Sequence, residues 1–237
     1  CVNDVINMEK LLKSESYGFE DVRVFTDESS DTKSRTTASG ILQEMNNLAS
    51  RSWKDQLDIA WIHFSGHGCS VRDLTGDEND GLDECIIPSD FKRVGVVSDD
   101  YIKSVLRNFN PKTKVICVFD CCHSGTVGDL KYRYLENNKS PVIENNGKAC
   151  ESPVLLISGC RDNQTSADAY NVNNAHKFSG AMTSCLITAL QTLGNKPSTI
   201  PIFTLVDTLR QTLRTKRFVQ VPQLCTSYLL SDGECFM

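Results

Sequence analysis

Residues 58–64 read Asp-Ile-Ala-Trp-Ile-His-Phe and stop at Ser65-Gly66-His67-Gly68; residues 114–119 read Lys-Val-Ile-Cys-Val-Phe and stop at Asp120-Cys121-Cys122-His123-Ser124-Gly125. Each is a short, nearly continuous apolar run, as expected of a strand buried on both faces, closed by a turn that needs glycine. Residues 154–158 form a third such run. Around them lie segments with helical spacing: 2–14 (Val5, Met8, Leu11, Leu12), 36–50 (Ile41, Leu42, Met45, Leu48), 101–109 behind the cap and acids Ser98-Asp99-Asp100, 179–193 and 203–216. Residues 22–25 and 222–230 read as further strands. Residues 69–83 read as a polar loop, and 133–152 as a long exposed linker without periodicity. Strands alternating with helices predict an α/β domain: a mostly parallel sheet with helices on both faces. Ligands bind at the carboxyl ends of such strands, where both glycine-bearing turns fall.

The 237 residues fit one domain, and 40% hydrophobic with 23% charged residues is ordinary globular composition. A net charge of -5 argues against a nucleic-acid partner, which would need a basic face. No apolar run approaches the roughly 20 residues of a membrane span, so no membrane partner is expected. The opening CVNDVINMEK lacks the basic start and apolar stretch of a signal peptide and does not begin with Met, so the natural N-terminus is expected upstream. Eleven cysteines are scattered, without a CxxC pair. Cys117, Cys160 and Cys185 sit in apolar runs as small hydrophobes, which favours a reducing, cytoplasmic location over a disulfide framework or structural zinc.

A thiol that attacks an amide needs a base beside it and N–H donors for the oxyanion that develops. The turn at 120–125 offers the thiol, and the turn at 65–68 offers the imidazole. Adjacent parallel strands lie about 5 Å apart, so their ends can bring the two together. The residues alone leave the choice between Cys121 and Cys122 open. His63, inside the apolar run, reads as a core or strand-end histidine.

His63-Phe64-Ser65-Gly66-His67-Gly68 and Asp120-Cys121-Cys122-His123-Ser124-Gly125 resemble, in order, the two signature motifs of metacaspases, cysteine proteases of the caspase fold. Residues 159–168 and 179–183 resemble family segments of the small-subunit region, so the likeness covers nearly the whole chain. It implies a single caspase-like domain: 1–132 large-subunit-like, 133–152 linker, 153–237 small-subunit-like, as in type I members. It also implies a strand ahead of Cys1. By resemblance His67 is the base and Cys122 the nucleophile, with the Gly68 and Cys122 N–H groups as oxyanion donors and no third orienting residue.

The same resemblance implies cleavage of proteins or peptides after Arg or Lys, in a pocket formed by Cys1, Asp4, Ser65 and Asp120, with Asp168 as a further acid. A carboxylate there would pair with a guanidinium bidentately or with an ammonium as a point charge; read alone, Asp4 is a helix N-terminal acid. Asp83, Asp99, Asp100 and Asp129 match the family's calcium ligands, calcium acting as an activator that orders loops and not as a catalytic Lewis acid. Read alone, residues 77–84 are a solvated acidic loop outside the EF-hand pattern. A monomer is expected. Arg133, Lys139 and Lys148 make the linker a self-cleavage candidate. The competing readings are a catalytically idle scaffold that binds partners and a caspase or paracaspase relative with altered specificity; the four matching Asp positions and a calcium requirement would separate a metacaspase from a paracaspase.

Overall fold

The computed structural model describes residues 1–73, 81–121, 128–136, 139–144, 150–159, 181–194 and 196–237. Val2–Leu12 forms α1 and Ala38–Lys54 forms α2, whose start is capped by Thr37 Oγ1 accepting from the Gly40 N–H at 3.1 Å. The chain continues through β1 (Ile59–Ser65), β2 (Gly68–Arg72), β3 (Leu82–Ile86), α3 (Phe91–Val94), β4 (Val97–Ser98), α4 (Asp99–Leu106) and β5 (Lys114–Asp120). It ends with β6 (Tyr132–Tyr134), β7 (Val142–Ile143), β8 (Val154–Ser158), α5 (Ala181–Leu193), α6 (Ile202–Thr215) and β9 (Gln223–Thr226).

The main sheet has the order β1-β5-β8-β9-β6-β7. β1, β5 and β8 are parallel, while β9 runs against both β8 and β6. β6 therefore shares the direction of the parallel set, and four of the six strands point one way. β5 is buried along almost its whole length, and its alternation feeds two cores. Ile116 and Val118 face α1, α5 and α6 through Met8, Leu186 and Leu209. Val115, Cys117 and Phe119 face α2 and α4 through Met45, Ile102 and Leu106. The expected α/β architecture, a mostly parallel sheet between helices, is what the chain adopts.

Three local expectations are corrected. Residues 22–25 form no strand, although Val22 packs against the first core: an alternating apolar pattern asks for an extended chain but supplies no pairing neighbour. Residues 69–83 are not simply a loop, because β2 and β3 pair antiparallel from Gly68↔Ile86 to Arg72↔Leu82, and β4 joins β3 in a second, three-stranded sheet. Within 133–152, β6 and β7 extend the main sheet and Cys150 is buried. A two-residue strand is too short to leave a periodic trace.

Candidate active site

The register of β1 on β5 sets the site. Its last pair is Ser65↔Asp120, so the two strands end side by side, and the Gly66 N–H donates to the Asp120 carbonyl at 3.2 Å. His67 lies two residues beyond the end of β1. Cys121 directly follows β5 and is packed in the second core, 1% exposed. Cys122, the expected nucleophile, lies outside the described residues, as do Asp168 and most of residues 159–168. His67 is half-buried, and its carbonyl accepts from the Ile87 N–H at 2.9 Å, tying this turn to the strand that ends at Ile86. Gly68, the expected oxyanion donor, is the first residue of β2.

Beside this corner two acidic side chains are buried. Asp4, in the first turn of α1, accepts from Ser65 Oγ at 2.8 Å. Asp120 is fully buried, and its Oδ2 accepts from the Thr183 N–H at 2.7 Å in the first turn of α5. Thr183 also reaches His63, with Oγ1 at 3.0 Å from Nε2. Burial holds the His63 imidazole neutral, its pKa pushed down to about 4 against the opposing charge of Asp4. Cys1 is exposed, and its carbonyl accepts from the Asp4 N–H at 3.0 Å at the start of α1.

A second acidic corner forms where β3 and β4 meet α4. Asp83 and Asp99 are buried, and Asp99 accepts from the Glu84 N–H at 3.0 Å and the Asp100 N–H at 2.9 Å. Burial, together with the negative charge of Asp83 and Asp100, pushes the Asp99 carboxyl up to about 7. Asp129, with φ of 43°, forms a buried ion pair with Lys103, one turn beyond Asp99 on α4. Burial is the largest cause of that shift; the carboxylate oxygens are hard ligands of the kind calcium takes. Among the described residues, no three His, Cys, Asp or Glu side chains already close into a metal-holding group.

A family model for the metacaspase, peptidase C14 domain matches residues 1–131. The chain belongs to the metacaspase family. Metacaspase-1 of Yarrowia lipolytica is 30% identical over 96% of this chain and 58% of its own length. Metacaspase-1 of Sclerotinia sclerotiorum is 31% identical over 98% and 62%, and Metacaspase-3 of Trypanosoma brucei brucei is 32% identical over 100% and 68%. The chain thus spans about three fifths of the length of these fungal relatives. A crystal structure of a Geobacter sulfurreducens protein, 22% identical, superposes with a TM-score of 0.58 over 94% of this chain and 83% of that one, a likeness of fold.

In this metacaspase the expected pocket residues Asp4, Ser65 and Asp120 come together, with His67 two residues beyond Ser65. Asp83, Asp99 and Asp100 gather at the β3–α4 corner, and Asp129 is held to that corner through Lys103. Sequence reasoning missed three residues. Thr183 bridges His63 and Asp120, and the only trace of it was the resemblance of residues 179–183. Glu84 supplies an N–H to Asp99. Lys103 stands four residues after Asp99, a helical spacing that places it one turn along the same face.

Proposed function

We propose that this metacaspase is a calcium-dependent cysteine endopeptidase that cuts proteins after Arg or Lys, with Cys122 as nucleophile and His67 as base. The observation that carries the reading is the pair of buried acids at the strand ends that lead into the two motifs: Asp4, which accepts from Ser65 Oγ, and Asp120, the register partner of Ser65. Two acids held together away from water favour a cationic side chain over an acidic one. The burial of Cys121 in the core argues against that thiol of the motif as the nucleophile.

In the reaction, His67 takes the Cys122 proton as the sulfur bonds to the scissile carbonyl carbon. The Gly68 and Cys122 N–H groups stabilise the oxyanion. The C–N bond then breaks, His67 returns the proton to the departing amine, and water, deprotonated by His67, releases the acyl group. Calcium, when bound, supplies positive charge to the acidic corner. Asp83, Asp99, Asp100 and Asp129 would hold it, and β2–β3 connects that corner to the turn bearing His67. The enzyme is proposed as a cytoplasmic monomer; the cysteines among the described residues are all free thiols, in keeping with a reducing compartment.

The test is hydrolysis of matched fluorogenic peptides ending in Arg, Lys or Asp, with calcium or with chelator, by the wild type and Cys122→Ala. Calcium-dependent release after Arg or Lys, lost in Cys122→Ala, is the expected result. Release after Asp would overturn the pocket, and activity undiminished by chelator would overturn the calcium switch. No release from any peptide would leave the idle-scaffold reading standing.

A further inference from the structure

Outside the catalytic motifs, one pair of thiols is placed for chemistry of its own. Cys69 lies directly opposite Cys85 across the antiparallel β2–β3 ladder. Residues opposite each other in such a ladder point to the same face, with Cα atoms about 4.5 or 5.5 Å apart depending on the hydrogen-bonding phase. A disulfide spans Cα separations of about 4.4–6.8 Å, so either phase admits one without moving the backbone. Both cysteines are free, and the Cys85 thiol donates to the Asp83 carbonyl two residues away, at 3.6 Å. Among the described residues no other two cysteines face each other across paired strands.

We propose that Cys69 and Cys85 are a redox-modification site that closes into a reversible disulfide on reaction with hydrogen peroxide. Cys85 is completely buried, whereas Cys69 retains 9% exposure, so the oxidant meets Cys69 first. The Cys69 sulfur attacks one peroxide oxygen and the O–O bond breaks, giving a sulfenic acid and water. The Cys85 sulfur then attacks the Cys69 sulfur, the S–S bond forms, the S–O bond breaks, and a second water leaves with the remaining thiol proton. Two thiols lose two electrons in all, and the peroxide is reduced to two waters.

The placement gives the bond a consequence. Cys69 is two residues from His67, and Cys85 is two residues from Asp83. The disulfide would therefore fasten the strand leaving the catalytic turn to the strand entering the acidic corner.

The experiment uses the Cys122→Ala protein, so that oxidation of the nucleophile is out of play. Folded protein is exposed to hydrogen peroxide, its remaining thiols are alkylated in denaturant, and tryptic peptides are read by mass spectrometry. Cleavage after Arg72 separates the two cysteines, so a bridge appears as a linked pair of peptides. The expected result is a Cys69–Cys85 pair that dithiothreitol dissolves, together with a melting midpoint several degrees above that of the reduced protein. Cys69→Ser and Cys85→Val should each abolish that shift. Recovery of both residues as alkylated thiols, a bridge from either to another cysteine, or a link that forms only in denaturant would each overturn the proposal.

Discussion

Asp120 is committed at both ends of its role: its main chain closes the β1–β5 ladder, and its carboxylate accepts from the Thr183 N–H in the first turn of α5. Asp120→Asn keeps an oxygen for that N–H and removes the charge. The kcat/KM for an Arg peptide should then fall about 100-fold, the scale of losing one charge-assisted contact of roughly 3 kcal/mol, with the fold retained. Unchanged Arg hydrolysis would remove Asp120 from the pocket. His63 makes a different prediction. Its pKa lies near 4 in the folded chain against 6.5 for an ordinary histidine, so the unfolded chain takes up the proton first as pH falls. Stability from this group is complete above about pH 6.5 and declines as pH drops toward 4, by on the order of 3 kcal/mol. Urea titrations across this range should show that decline, and His63→Gln should flatten it. An equal slope in both proteins would place the acid sensitivity elsewhere.

At the level of elements, α4 joins its N-terminal acids to Lys103, whose ammonium pairs with Asp129 at side-chain exposures of 9% and 6%. Removing one member of a buried pair strands the other, at a cost of about 3 kcal/mol or more. Lys103→Met should therefore lower the urea-derived stability by about that amount in chelator; a loss under about 1 kcal/mol would mean that water screens the pair. The sequence held only the outline of this corner. Asp99 and Asp100 were legible as helix-start acids, but β3 was not, because Asp83 and Glu84 are buried carboxylates in a strand that composition marks as a loop. Residues 22–25 fail in the opposite sense, with strand-like residues and no strand. In both cases pairing decides, and pairing is a property of the neighbour. The site was legible to the same depth: the two turns and Asp120 stand out as motifs, whereas the link from Ser65 to Asp4, residues 61 positions apart, exists only once α1 is docked.

The architecture of the whole molecule was readable because β1, β5 and β8 are apolar on both sides, and a strand apolar on both sides demands cover on both sides. The same fact predicts how the molecule comes apart. β5 gives Ile116 and Val118 to one core and Val115, Cys117 and Phe119 to the other, and β8 divides its residues likewise. Both cores are built on the main sheet, so losing either face should release both in one transition. Trp61 sits with the first core, edge-on to Phe19 at 6.2 Å and Phe236 at 5.6 Å, whereas Trp53 lies exposed on α2. In a Trp53→Phe background the fluorescence therefore reports the first core alone. Ile102→Ala, a truncation in the second core, should cost about 3 kcal/mol and move the Trp61 transition and the far-UV circular dichroism transition together. Leu209→Ala, in the first core, should do the same from the other face. If Ile102→Ala leaves the Trp61 midpoint in place and splits the dichroism curve into two steps, the faces unfold separately, and β5 does not couple them.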